Sequence, residues 1–92
     1  MLIPLHYQYT AAQLLLDEAD LNGADLAVAN LEAAHLEWGH FDGARLEWAN
    51  LAMTKLEKAN LHEAILQQAI FYRSNLAGAI LEVTNLDGTD LR

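Results

Sequence analysis

The sequence contains no cysteine, one proline and one serine. Without cysteine there is no disulfide framework, no thiolate nucleophile and no Cys-ligated zinc. Aromatic residues make up only 8% of the chain, so its apolar mass is mostly Leu and Ala. Cations are scarce: five Lys and Arg stand against thirteen Asp and Glu, a formal charge of −8. That imbalance argues against direct binding to nucleic acid or to an anionic membrane surface. Long apolar runs are missing as well. The longest near the start is Leu14-Leu15-Leu16, against the roughly 18 residues a membrane span needs. Residues Met1 to Tyr7 carry no Lys or Arg, so the positive region of a secretory signal is absent. These absences lead us to expect a soluble, cytoplasmic chain that neither enters a membrane nor holds a cofactor.

What is present is order. Hydrophobic residues form 53% of the 92 positions, far too many for disorder, and the length suits one domain. Leu or Phe recurs every five residues without a gap: Leu16, Leu21, Leu26, Leu31, Leu36, Phe41, Leu46, Leu51, Leu56, Leu61, Leu66, Phe71, Leu76, Leu81, Leu86 and Leu91. We call this position the centre. Two residues before it, from Ala19 to Thr89, stands a small residue each time: ten alanines, with Gly39, Thr54, Ser74, Thr84 and Thr89. The residue between is mostly polar, as in Asp20, Asp25, Asn30, His35 and Asn50.

Ala, Leu and Glu favour helices, yet the period excludes a helical bundle. A helix turns about 100° per residue, so leucines five apart lie about 140° from one another and scatter around it. A straight strand fails too, since an odd period sends alternate leucines to opposite faces. Asp and Asn just before the centre are also poor residues for a helix interior. A period of five buries every Leu only if the chain changes direction once per repeat. Four such steps close a square, which implies a solenoid of about twenty residues per coil.

The motif Ala-(Asp/Asn)-Leu-x-x, seen well in Ala19-Asp20-Leu21-Asn22-Gly23, Ala29-Asn30-Leu31, Ala49-Asn50-Leu51 and Ala59-Asn60-Leu61, resembles the pentapeptide-repeat family. The likeness covers about residues 19–92. It implies an all-β solenoid, a right-handed quadrilateral β-helix of about four coils, with the centre and the small residue pointing inward. Ile65, Ile70 and Ile80, and the cations Arg45 and Lys55, depart from the family's usual Asp or Asn.

The ends differ. Leu14 fills a small-residue slot, which places the start of the coil after it. Thr10-Ala-Ala-Gln13 fits a capping box and predicts a short helix over about 11–18, whose Ala11, Leu14 and Leu15 would lid the first coil. Residues 1–9 read as extended. We therefore divide the chain into an N-terminal extension and capping helix, 1–18, and a β-helix, 19–92. The repeat runs on to Leu91, and an open last rung exposes apolar centres and unpaired backbone. Two readings compete: the C-terminal coils of two chains stack into a homodimer, or the chain continues a longer protein. The homodimer is preferred.

Successive repeats fall on successive faces, with residues twenty apart stacked about 4.8 Å from each other. The face of Leu36 and Leu56 nets −2, that of Phe41 and Leu61 nets −4, and that of Leu46 and Leu66 nets −2. The face of Leu51 and Phe71 is neutral, because Glu32 and Asp90 balance Arg73 and Arg92. The neutral face is also the most apolar. Ala33, Ala52, Met53, Ile70 and Tyr72 project from it, with Val28, Trp48 and Ile65 around the adjoining corner. We take Val28, Trp48, Met53, Ile65, Ile70 and Tyr72 as a candidate patch for a protein partner. Trp38 lies on another face and is expected to form a cation–π contact with Lys58.

Catalytic chemistry is not expected. The lone serine, Ser74, occupies an inward slot, so a Ser–His–Asp triad lacks a usable nucleophile. Gly23, Gly43, Gly78 and Gly88 share one corner position and read as turn residues, not as a phosphate loop. His35, His40 and His62 point outward in no common column, so no metal site is expected; His62 should stack beside Asp42. The main reading is a non-enzymatic structural or interaction module, a rigid acidic rod with an apolar patch for an unidentified protein partner. The alternative is a DNA mimic that binds DNA gyrase or another DNA-binding protein, because one branch of the family resembles duplex DNA in size and charge. About 3.7 coils make a rod of roughly 18 Å. Duplex of that length carries about 11 charges but spans only about five base pairs. Charge density permits mimicry; length does not favour it.

Overall fold

The structure is a computed structural model that describes residues 15–91. The chain winds as a four-sided coil. Twelve parallel bridges join residues twenty apart, from Leu15–His35 to Ile70–Asp90, always through the residue before the centre. Four walls result. Wall 1 stacks Leu16, Leu36, Leu56 and Leu76; wall 2 stacks Leu21, Phe41, Leu61 and Leu81. Wall 3 stacks Leu26, Leu46, Leu66 and Leu86; wall 4 stacks Leu31, Leu51, Phe71 and Leu91.

One repeat accounts for all five of its amides, as buried backbone must. In Asn50–Thr54, the Asn50 amide donates down to Ala29 O at 2.9 Å, and the Leu51 and Met53 amides donate up to Ile70 O and Tyr72 O at 2.7 Å. The Thr54 amide closes the turn onto Leu51 O at 3.3 Å. The Ala52 amide, which no neighbouring coil reaches, donates to Asn50 Oδ1 at 3.0 Å. Seven side chains do this work: Asp20, Asp25, Asn30, Asn50, Asn60, Asn75 and Asn85. The Asp or Asn before the centre is thus an Asx cap on the one amide that stacking leaves over.

Every corner from Glu18 to Gly88 has positive φ, between 57° and 71°, as the third residue of a type II turn requires. Eleven of the fifteen corners are not glycine. Val28 and Val83 are the most strained, because β-branched side chains resist this region.

Centres and small residues point inward. The centres from Leu21 to Phe71 and the alanines from Ala24 to Ala69 are buried, together with Thr54, whose hydroxyl donates to Leu51 O at 2.7 Å. Each buried Leu contributes about 1.5–3 kcal/mol. Leu76 and Leu81 are half-buried, and Leu86, expected in the core, is 36% exposed, with no coil stacked over it among the described residues.

The start of the coil needs correcting. Residues 15–18, expected as the end of a capping helix, already belong to the solenoid. Leu15 bridges His35, and Glu18 turns a corner at φ 62°. Leu15, assigned to the lid, is 72% exposed. The rest of the expected helix and the extension before it, residues 1–14, lie outside the described residues. Among the described residues, no helix is long and apolar enough to cross a membrane.

Candidate partner surface

Wall 4 builds its outer surface from two columns. Before the centres stand Asn30, Asn50, Ile70 and Asp90; after them stand Glu32, Ala52 and Tyr72. Glu32, Asn50, Ala52, Ile70, Tyr72 and Asp90 line a shallow open depression of about 530 Å³. Ala52 forms its floor, buried beneath Tyr72 in the same column; Ile70 and Tyr72 are each about two-fifths exposed. Arg73 lies over the Tyr72 ring, 5.4 Å from its centroid, so one face of the ring already meets a cation.

The corners extend this surface. Val28 and Trp48 stack at the corner between walls 3 and 4, exposed by 71% and 65%; Met53 sits at the opposite edge of wall 4. Five of the six expected patch residues therefore share one wall and its two edges. Ile65 does not join them. It is half-buried on wall 3 between Arg45 and Asn85, with the Glu47–Gln67 column separating it from Trp48. The sequence reading passed over Val83, the apolar side chain that is 76% exposed at the corner between walls 2 and 3. Its place in a corner column that begins Gly23, Gly43 was the available signal.

Arg45 is engaged on wall 3. Its Nη2 and Nε donate to Glu47 Oε2 at 2.9 and 3.2 Å, and its Nη1 stands 3.9 Å from Asp25. The hydrogen bond to Glu47, then the Glu47 and Asp25 charges, hold its pKa above the ordinary arginine value.

The expected contact between Trp38 and Lys58 is not formed. Lys58 leans the other way, over Gly78, where its stem fills the space a Cβ would take, at 2.7 Å. The bare corner offers the stem more room than the bulky indole. His62 stacks beside Asp42 as expected, and its Nε2 also pairs with Glu63 Oε1 at 2.9 Å, which makes a cluster of the three. His35 stands apart on wall 1, 3.7 Å from Glu37.

The inward hydroxyls show no activation. Thr54, Thr84 and Thr89 each donate to a backbone carbonyl, and Ser74 Oγ is sealed from solvent with no partner.

The sequence matches the pentapeptide-repeat family in eight copies, over residues 15–47, 29–68 and 54–92, and the chain belongs to that family. Among solved structures, it is similar to alr5209, a pentapeptide-repeat protein from Nostoc PCC 7120, with 33% identity and a TM-score of 0.78. That match covers 79% of this chain and 60% of the other, so the chain spans less than two thirds of that relative's length. A pentapeptide-repeat protein of the Arabidopsis thaliana thylakoid lumen matches at 22% identity and a TM-score of 0.48, over 85% of this chain and 61% of the other. HetL, a Nostoc pentapeptide-repeat protein involved in heterocyst differentiation regulation, matches at 27% and 0.42, over 83% and 44%. No curated protein matches. Family and fold together make this a right-handed quadrilateral β-helix. Such proteins are generally structural or interaction modules, and nothing suggests catalysis.

Proposed function

We propose that this chain is a rigid, non-catalytic display module that docks a protein partner on wall 4 and its two edges. The observation that carries the reading is coincidence. The wall with the least net charge among its described residues, Glu32 and Asp90 against Arg73 on a chain of −8, is also the wall that exposes Met53, Ile70 and Tyr72, with Val28 and Trp48 at its corner. Interfaces are depleted of charge at their centre and enriched in aromatic residues and Met. The occupant that fits is a protein segment with an apolar centre. It would seat on Ala52, Ile70 and Tyr72, and hydrogen-bond outward to Asn50 and Glu32 at the rim. A rigid frame favours such docking, since little ordering entropy is lost on binding.

The test uses the full chain as bait, with Trp48→Ala/Tyr72→Ala and Trp38→Ala beside the wild type. Trp38 is 57% exposed at the corner between walls 1 and 2, so it controls for a general loss of exposed indole. A partner held by the wild type and by Trp38→Ala, but released by the wall 4 pair, supports the reading. A partner that survives the wall 4 substitutions overturns it.

The alternative, a DNA mimic, rests on the acids of wall 2: Asp20, Asp42, Glu63 and Glu82, with no cation among the described residues of that wall. Duplex DNA is charged on every side, whereas the two acids described on wall 4, Glu32 and Asp90, share it with the cation Arg73. The expected outcome is that micromolar protein leaves gyrase supercoiling unchanged; inhibition that persists when the wall 4 residues are removed would favour mimicry.

A further inference from the structure

We propose that Asp42, His62 and Glu63 on wall 2 bind a divalent transition-metal ion of the zinc class. Each offers one ligand atom, and the three atoms lie within 4.8 Å of one another. An imidazole with two carboxylates suits zinc and its neighbours better than calcium or magnesium, which prefer oxygen alone. His62 Nε2 and Glu63 Oε1 stand 2.9 Å apart. Two ligands on one ion at about 2.1 Å each are roughly 3.0–3.5 Å apart, so this hydrogen-bonded pair needs only to lose the proton between its atoms and open by a few tenths of an ångström to chelate. Asp42 is exposed and completes the set by a rotation of its own side chain.

The frame holds all three backbones. The Asp42 amide donates to Asn22 Oδ1 at 2.8 Å, the His62 amide to Asn60 Oδ1 at 3.0 Å, and the Glu63 amide to Glu82 O at 3.1 Å. The Gly43 amide donates to His62 O at 2.9 Å, which fixes the offset between the two coils that share the site. Glu63 occupies a corner whose column reads Gly23 and Gly43 below it. A Cβ added at Gly43 would touch nothing within 4 Å, so the space under Glu63 and beside Asp42 is open to the waters that would complete the coordination. No Lys or Arg shares wall 2 among its described residues, so no fixed cation competes for the carboxylates.

Calorimetric titration of the untagged full chain with zinc chloride, in a non-chelating buffer, tests the site. One equivalent should bind. His62→Ala and Asp42→Asn should each weaken binding by roughly 10–100-fold, since removing a ligand costs at least what removing its outer-shell support does. His35→Ala and His40→Ala should bind as the wild type does, and millimolar calcium should not displace zinc. No binding by the wild type, an unchanged isotherm for His62→Ala, or equal competition by calcium overturns the proposal. Should a variant fail to fold, nuclear magnetic resonance of the wild type decides. Zinc must shift the His62 ring signals and leave those of the other three histidines in place; a shift at another histidine alone overturns the site.

Discussion

Gly39 is the one glycine in the small-residue column, and the reason it is glycine can be tested by reversing the sign of a substitution. Its φ is not in the left-handed region, so conformation does not require it. Space does. A Cβ built on Gly39 would stand 2.6 Å from Phe41 Cε2 and 3.3 Å from Cζ, with Leu36 O at 3.0 Å. The carbonyl contact belongs to the turn itself, which holds Ala at most other repeats. The ring atoms are specific to this one, and Phe41 is fully buried, with little room to withdraw. Overpacking of this kind costs about 1–3 kcal/mol. Gly→Ala returns about 0.4–1 kcal/mol by restricting the unfolded chain. The net expectation for Gly39→Ala is a loss of about 1 kcal/mol. Leucine has neither of the offending atoms, and Ala59 beside Leu61, one coil up on the same wall, is the pairing that Gly39→Ala/Phe41→Leu would copy. In the Phe41→Leu background, Gly39→Ala should therefore stabilise by about 0.4–1 kcal/mol. Urea denaturation of the four proteins, read by linear extrapolation, gives the cycle. If Gly39→Ala has the same sign in both backgrounds, Phe41 is not what keeps residue 39 bare.

Other substitutions probe the remaining parts of the repeat. Ala44→Leu puts a large side chain into a fully buried slot between Ala24 and Ala64; thermal unfolding should show a loss at or above the upper end of about 1–3 kcal/mol, and an unchanged melting temperature would remove residue 44 from the interior. Val28→Gly should raise stability by about 1 kcal/mol, since it relieves a β-branched residue at φ 65° and forfeits a side chain that is 71% exposed. The same change should weaken partner capture if wall 4 and its corner are the docking surface. Asn50→Ala leaves the Ala52 amide without its acceptor and should cost about 0.5–1.5 kcal/mol, measured by chemical denaturation; Ile65→Asn, which supplies a missing cap on wall 3, should gain a comparable amount.

The backbone of this molecule was legible in the sequence because one number, the period, controls it. With a centre every five residues and four walls to a coil, residue i stacks on residue i+20, and the bridges follow that register throughout. Charges could be assigned to walls for the same reason. The role of Asp and Asn before the centre was only half legible. Their aversion to helix interiors was plain, but their task, capping the amide after the centre, becomes visible only when the other four amides have found partners.

Side chains on the outside obey no such rule, and there the structure departs from what register alone predicts. Register correctly stacks Lys58 above Trp38, yet a long flexible stem can lean to either neighbour, and bare Gly78 gives it the roomier one. Register also puts His62 above Asp42, but Glu63, next along the chain, swings back from its corner to reach the imidazole. Counting histidines per column compares residues only along the stack. In this fold, the corner residue and its predecessor on one coil are as close as vertical neighbours on adjacent coils. Two steps, one along the chain and one up the stack, bring three ligands together where either step alone brings two. The same geometry applies at every corner, so chemistry on such a solenoid should be sought in pairs that straddle a corner, together with the residue one coil below.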